Sequence, residues 1–124
     1  MISIIDDDVS VRTATDNLLK SLGYSIFSFG SAEEFLQSKR LDETSCVIAD
    51  INMPGIDGVE LLLRLRAQGN HVPFIFITAF PEEAIFRKAT SAGAVCLLTK
   101  PFKKDNLIQN LEQALQRDHK GPDQ

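Results

Sequence analysis

The sequence lacks the features that mark several common classes of protein. Lysine and arginine total 13 against 17 aspartate and glutamate residues, so the net charge is -4 and the pI is about 5.1. Proteins that grip the phosphate backbone of nucleic acids need a basic surface, so we do not expect this chain to bind nucleic acid directly. No apolar run reaches the roughly 20 residues that a membrane-spanning helix needs, and no signal peptide is evident.

Cysteine is also scarce, and its number and spacing indicate whether the chain has a cysteine metal site and which cellular compartment it occupies. The two cysteines, Cys46 and Cys96, lie inside apolar runs and do not have the spacing of a metal site. We therefore expect both to act as small core side chains, in a protein kept in the reducing cytoplasm.

The length and the hydrophobic content are those of one ordinary domain. Hydrophobic residues make up 44% of the 124 residues, which is enough for a single core. We expect that domain to cover residues 1–117. Residues 118–124 are polar and include Gly121 and Pro122, a composition that predicts a polar tail or the start of a linker.

Apolar patterning predicts five strands that alternate with five helices. Short apolar runs predict strands at 2–5, 25–29, 46–49, 74–77 and 95–98, and apolar residues at helical spacing follow each run. Ser31 and Glu34 form a capping box ahead of the second helix. Asp57 and Glu60 repeat it ahead of the third, and Pro81 predicts the start of the fourth.

This alternation predicts an α/β fold. Strands that are apolar throughout are typical of a parallel sheet covered by helices on both faces. We therefore expect a (βα)5 doubly wound, five-stranded parallel sheet with the flavodoxin-like order 2-1-3-4-5. In such sheets, ligands bind outside the carboxyl ends of the strands, so the residues that follow each strand are the candidates for a site.

Three carboxylates follow strands that are neighbours in the predicted sheet. Asp6 and Asp7 follow the first strand, and Asp50 ends the third. Two carboxylates about 4 Å apart repel each other by roughly 4 kcal/mol at an effective dielectric constant of 20, so three of them together require a cation. Carboxylate oxygens that are open to water suit Mg2+, which we expect to bind here.

The remaining strand ends carry a hydroxyl group and a lysine. Thr78 follows the fourth strand and Lys100 the fifth. Together with Mg2+, they would neutralise and hydrogen-bond a phosphoryl group that Asp50 accepts as a nucleophile. Each feature alone is common in caps and surface turns, but their conjunction at four strand ends indicates a functional site.

The chain resembles the receiver domains of two-component response regulators, the CheY-like superfamily, in the stretches IIDDD, VIADINMPGIDG, FITA and TKPF. The resemblance covers nearly the whole chain, and the stretches SAEEFL and GVELLLRLR are most similar to FixJ-type transcriptional regulators. It implies that Asp50 is the phosphoacceptor for a sensor histidine kinase. It further implies that the domain is a switch in transcription regulation and not a classical enzyme.

The resemblance also assigns roles within the site. It implies that Asp7 binds Mg2+ directly, that Asp6 binds it through water, and that the backbone carbonyl of Asn52 is a further ligand. It implies that Thr78 and Lys100 contact the phosphoryl group. The Lys100–Pro101 bond would be cis, an isomer that is accessible in practice only before proline.

One position departs from the pattern expected of the switch. In many relatives an aromatic residue three positions before the lysine rotates inward when Thr78 moves, whereas this chain has Leu97. Phe80, Phe86 and Phe102 lie close enough in sequence to replace it.

Asn52 and Phe80 stand at the two positions that tune dephosphorylation in the family. A bulky apolar Phe80 would shield an acyl phosphate from water.

Two alternative functions and two further partners remain open at this point. IIDDDV also fits the nucleophile motif of haloacid-dehalogenase-like phosphatases, with Asp6 as nucleophile and Asp8 as acid. The second alternative is an atypical receiver that binds partners without being phosphorylated. Phosphorylation would pair two copies through an apolar patch of Ile85, Phe86 and Ala89, and a DNA-binding output domain would follow the linker.

Overall fold

Strands and helices alternate along the chain. The computed structural model describes residues 1–119, so residues 120–124, most of the predicted tail or linker, lie outside the described part. The strands are β1 (Ile2–Ile5), β2 (Ile26–Phe29), β3 (Cys46–Asp50), β4 (Phe74–Thr78) and β5 (Cys96–Thr99). The helices are α1 (Val9–Ser21), α2 (Ala32–Gln37), α3 (Gly58–Ala67), α4 (Glu83–Ser91) and α5 (Lys104–His119), with a short 3-10 helix at Leu41–Glu43.

The five strands form one parallel sheet in the order β2-β1-β3-β4-β5. In the register of the sheet, Ile5 pairs with Ala49 and Thr78 pairs with Thr99. The carboxyl ends of β1, β3, β4 and β5 therefore lie side by side at one edge. The predicted fold class, a (βα)5 doubly wound sheet with this strand order, is confirmed.

Ser31 and Asp57 cap two helices where the sequence predicts capping boxes, but each forms only the N-cap half of the box, because the Glu34 and Glu60 side chains bind the Gly30 amide and Arg64 instead. The Ser31 hydroxyl oxygen accepts a hydrogen bond from the Glu34 amide at 3.0 Å. The Asp57 carboxylate accepts one from the Glu60 amide at 2.8 Å. Both bonds satisfy amides that have no partner within the first turn of a helix.

The predicted start of the fourth helix at Pro81 is wrong by two residues. Helix α4 begins at Glu83, and Glu82 before it is extended, with φ -126° and ψ 133°. Proline fixes only its own φ angle, so it permits a helix start without imposing a helical conformation on the next residue.

A separate hydrophobic cluster fills each face of the sheet. Helices α2, α3 and α4 pack on one face through residues such as Phe35, Leu62 and Ala89. Helices α1 and α5 pack on the other, where Cys46 is buried and Cys96 is half-buried. Burial raises the pKa of the Cys96 thiol to about 11, so the thiol stays protonated and inert at neutral pH.

Gly58 lets α3 approach the end of β3 closely. Its amide donates to the Ile51 carbonyl at 3.0 Å. A Cβ atom at this position would lie 2.5 Å from the carbonyl oxygen of Asp50 and 3.0 Å from the Phe76 ring. Because the nearest of these atoms belongs to the backbone, it cannot move aside without displacing Asp50 itself.

Gly58→Ala is expected to lower the free energy of unfolding by about 2 kcal/mol, the usual cost of overpacking a buried contact. Urea denaturation would measure the loss. The matched control is Gly30→Ala, since the atom nearest to a Cβ there belongs to the flexible Arg12 side chain, at 3.3 Å. The control should stay within about 0.5 kcal/mol of the native protein, and equal losses in both variants would contradict the steric explanation.

Candidate functional site

Three carboxylates converge where β1 and β3 end. Asp6 and Asp50 are almost completely buried, with 2% and 6% of their surface exposed, whereas Asp7 is exposed. One carboxylate oxygen from each of the three residues lies within 4.8 Å of the others. This proximity follows from the sheet order, because β1 and β3 are hydrogen-bonded neighbours. The structure thus brings the three predicted metal ligands into one cluster.

Lys100 reaches the same cluster from the end of β5. Its ammonium nitrogen lies 3.1 Å from Asp50 Oδ2 and 3.3 Å from Asp6 Oδ2. The Lys100 amide also donates to the Thr78 carbonyl at 2.8 Å, which anchors the loop after β5 to the end of β4. The Lys100–Pro101 bond is cis, as the resemblance implies.

Thr78 completes the set of strand ends. Its side chain is buried, and its hydroxyl oxygen accepts hydrogen bonds from Asn52 Nδ2 at 2.9 Å and from the Phe80 amide at 3.0 Å. A threonine hydroxyl offers two acceptor positions and one donor. Both acceptor positions are therefore used among the described residues, and the hydroxyl hydrogen remains available to a further acceptor such as a phosphoryl oxygen.

The buried charges of the cluster shift the pKa values of two groups. Desolvation raises the pKa of Asp6, and the charge of Asp50 raises it further, against the opposing hydrogen bond from the Asp8 amide and the charge of Lys100. Burial by itself would lower the pKa of Lys100, but its hydrogen bond to Asp50 and the charge of Asp6 raise it. One lysine thus faces two buried carboxylates and a third at the surface, which leaves an excess of negative charge.

This donor set fits a hard divalent cation. The side-chain donors are all carboxylate oxygens, a set that suits Mg2+ and not softer metals. Asp50 Oδ1 accepts a hydrogen bond from the Asn52 amide at 3.0 Å, which fixes the carboxylate against the loop after β3. The ligand roles of Asp6, Asp7 and the Asn52 carbonyl stay predictions.

Two of the three residues predicted to act in switching, Leu97 and Phe80, differ in their surroundings, and the third is Thr78. Leu97 in β5 is half-buried and packs against the core cluster beneath α2, α3 and α4. Phe80, in the loop between β4 and α4, has 70% of its surface exposed. Phe102 packs instead against the core on the opposite face. The switching roles of Leu97 and Phe80 stay predictions.

Two contacts at the site were missed by sequence reasoning. The Arg12 guanidinium donates to the Asp6 carbonyl at 2.6 Å. Glu33 Oε2 accepts a hydrogen bond from the Ile56 amide at 3.2 Å. Arg12 lies one helical turn after the cap residue Asp8, a weak signal, while the Glu33 contact joins elements that are distant in sequence and gives no local signal.

Comparison with known proteins identifies the family. The family model for the response regulator receiver domain matches residues 2–112. The chain therefore belongs to the response regulator receiver domain family, the receivers of two-component systems. Among residues 1–119, no helix is both long and apolar enough to cross a membrane.

Individual relatives point to transcriptional regulators. Nodulation protein W of Bradyrhizobium diazoefficiens is 37% identical over 97% of this chain and 53% of that protein. Transcriptional regulatory protein FixJ of the same species is 36% identical over 94% of this chain and 57% of that protein. The chain thus spans about half the length of the curated relatives it matches.

Solved structures agree with this assignment. The response regulator StyR superposes with a TM-score of 0.89 at 37% identity, over 95% of this chain and 60% of that chain. The structure titled FixJ-N superposes with a TM-score of 0.83 at 31% identity, over 93% of this chain and 92% of that chain. The predicted resemblance to FixJ-type receivers is confirmed.

Asp6→Asn is expected to stabilise the metal-free protein at pH 7. Because the pKa of Asp6 is raised in the folded state, protonation favours folding, and stability falls as the pH rises from the unfolded value of 3.8 through the raised folded value. Removal of this charge should therefore add about 1 kcal/mol to the free energy of unfolding at pH 7. The gain should vanish below the unfolded pKa.

Urea denaturation in the presence of a chelator, repeated between pH 3.5 and pH 7, would measure this dependence. Asp42→Asn is the control, since Asp42 is exposed. A gain that persists at pH 3.5 would show that the effect does not come from the charge of Asp6.

Proposed function

We propose that this receiver accepts a phosphoryl group on Asp50 from a phosphohistidine of a sensor histidine kinase. The proposal rests on one observation, that the Lys100 ammonium and the Thr78 hydroxyl come to the strand ends beside Asp50. Lys100 lies 3.1 Å from Asp50 Oδ2, and the Thr78 hydroxyl, at the neighbouring strand end, donates to no acceptor among residues 1–119. These are the groups that stabilise charge on a transferring phosphoryl group.

The transfer needs little covalent chemistry from the protein. A carboxylate oxygen of Asp50 attacks phosphorus as the bond between phosphorus and the histidine nitrogen breaks, and the nitrogen retains the electron pair of that bond. The product is an acyl phosphate on Asp50 and a free histidine on the kinase. The Lys100 ammonium donates a hydrogen bond to Asp50 Oδ2 at 3.1 Å and would face the oxygens of the phosphoryl group after the transfer.

Mg2+ is the cofactor that we propose for this site. Asp6, Asp7 and Asp50 would hold it with the Asn52 carbonyl, and it would supply neutralisation of charge on the phosphoryl oxygens. In this proposal Asp6 would contribute a carboxylate to the metal site, and Asp50 would be the nucleophile.

The phosphatase alternative has less support. As an acid, Asp8 would have to reach the substrate, but its carboxylate accepts hydrogen bonds from the Ser10 and Val11 amides at the start of α1. The phosphatase hypothesis also gives no function to the contact between Lys100 and Asp50. The atypical, unphosphorylated receiver is disfavoured because the acids, Thr78 and Lys100 are all in place.

We further propose that phosphorylation changes the conformation of this receiver and thereby controls an output in the cytoplasm. The relatives named above are about twice as long as this chain, which supports a missing output domain, most simply one that binds DNA. The domain would act as a switch and not as a classical enzyme, with at most slow autophosphorylation and autodephosphorylation.

A phosphorylation-linked homodimer is a further part of the proposal, on a smaller surface than the sequence predicts. Phe86 has 48% of its surface exposed, whereas Ile85 is half-buried against the core. Ala89 is buried in the core, so its predicted place in an exposed patch is wrong. The exposed ring of Phe86 is the apolar contact that α4 offers to a second copy.

Incubation with a small acyl phosphate and Mg2+ is expected to add one phosphoryl group to the native protein and none to Asp50→Asn. The reason is that the substitution removes the nucleophilic oxygen while preserving the shape of the side chain. Intact-mass spectrometry, with and without a chelator, would measure the adduct.

The control for this experiment is Asp8→Asn, because asparagine caps helices as well as aspartate does. This variant should be modified like the native protein. An adduct that survives Asp50→Asn would transfer the nucleophile role to another residue such as Asp6. Absence of any adduct on the native protein would favour the unphosphorylated interaction module.

Phe80→Glu is expected to shorten the lifetime of the acyl phosphate by about tenfold. The amide of Phe80 is hydrogen-bonded to the Thr78 hydroxyl, so its side chain begins beside the proposed phosphoryl site. An apolar ring would exclude attacking water, and a carboxylate would admit and orient it. Phe80→Leu is the control, since it keeps an apolar side chain.

The loss of phosphate from the isolated phosphoprotein, followed over time by mass, would give both lifetimes. Decay in the native protein that is as fast as in Phe80→Glu would refute the shielding role.

A further inference from the structure

We propose that Glu33 is a positioning residue of the metal site, whose carboxylate holds the β3–α3 loop (residues 51–57) in the conformation that presents Asn52 to a divalent cation. Glu33 belongs to the first turn of α2, far in sequence from the ligands it would serve. This inference rests on the proposed Mg2+-dependent function.

The contact between Glu33 and the loop is direct. Glu33 Oε2 accepts a hydrogen bond from the Ile56 amide at 3.2 Å. The same oxygen lies so close to Gly55 that a Cβ atom there would collide with it, and Gly55 has a φ of +76°. Because Gly55 has no side chain and adopts a left-handed conformation, the loop backbone can lie directly against the Glu33 carboxylate.

One carboxylate oxygen of the half-buried Glu33 side chain indicates more than a stabilising role. The Oε1 atom is buried and has no hydrogen-bond partner among the described residues. An unpaired buried polar atom costs about 1 to 3 kcal/mol, so a carboxylate is a poor choice here if only stability is at stake. The cost is explained if the other oxygen fixes a loop on which the site depends.

The loop carries this constraint to the proposed metal ligands. At its inner end the Asn52 amide binds Asp50 Oδ1 at 3.0 Å, and the Gly58 amide binds the Ile51 carbonyl at 3.0 Å. Glu33 holds the outer part, at Ile56. The Asn52 carbonyl belongs to the peptide bond with Met53, which lies between the Asn52 amide and Ile56 along the chain, so release of the outer attachment would let that peptide bond turn away from Asp50. Partners outside the ligand shell commonly tune metal affinity in this way.

The test compares Mg2+ binding by variants that separate side-chain reach from charge. Glu33→Asp keeps the charge but shortens the side chain, whereas Glu33→Gln keeps the length and an acceptor oxygen but removes the charge. Calorimetric titration with MgCl2 should show a dissociation constant about tenfold higher for Glu33→Asp and Glu33→Ala, and a nearly native value for Glu33→Gln. Glu34→Ala is the control, because Glu34 lies in the same helical turn and binds the Gly30 amide instead.

A second measurement needs no metal. Hydrogen exchange of the Ile56 amide in the chelated protein should be faster in Glu33→Asp and Glu33→Ala than in the native protein, and unchanged in Glu34→Ala. Native Mg2+ affinity in Glu33→Asp, or equal weakening in Glu33→Gln and Glu34→Ala, would overturn the positioning role alone. Failure of the native protein to bind Mg2+ would overturn the proposed metal site and this inference together.

Discussion

The structure depends on a concentration of negative charge at the end of a hydrophobic sheet. Asp6 and Asp50 are buried side by side because β1 and β3 pair, and burial of like charges is unfavourable unless a cation compensates them. Lys100 supplies part of this compensation, with its ammonium nitrogen within 3.3 Å of both carboxylates. The cluster therefore carries more negative than positive charge, and this imbalance supports the proposal that it binds a divalent cation.

The surrounding scaffold keeps these charges in place by short-range contacts. Gly58 lets α3 pack directly against the carbonyl of Asp50, and the Lys100 amide binds the end of β4. Asn52 joins β3 to β4 by donating to the hydroxyl of Thr78. Hydrogen bonds thus join the ends of neighbouring strands. A group that binds at one strand end would therefore affect the positions of the others. Such cross-links explain how a site built on loops can hold its geometry to a fraction of an ångström.

The sequence predicts the elements whose signals are local, and it misses contacts that depend on packing. The strands that end at Asp6, Asp50, Thr78 and Lys100 are apolar runs with abrupt polar ends, and the strand order then places those ends together. The predicted start of α4 at Pro81 was wrong, because the fixed φ angle of proline permits a helix start without requiring one. The contact of Glu33 with Ile56 could not be predicted, because it depends on how closely α2 approaches a loop 23 positions away.

The hydrogen bonds of Thr78 define a route from the site to the surface of α4. Thr78 accepts from the Phe80 amide, and only Pro81 and Glu82 separate Phe80 from the first residue of α4. If the Thr78 side chain moves toward a phosphoryl group on Asp50, the Phe80 amide would follow it or lose its acceptor. Either result would change the loop that leads to α4, the helix on which Phe86 is exposed. Leu97 is half-buried and smaller than an aromatic side chain, so we propose that the loop between Thr78 and α4, and not residue 97, would link phosphorylation to the α4 surface.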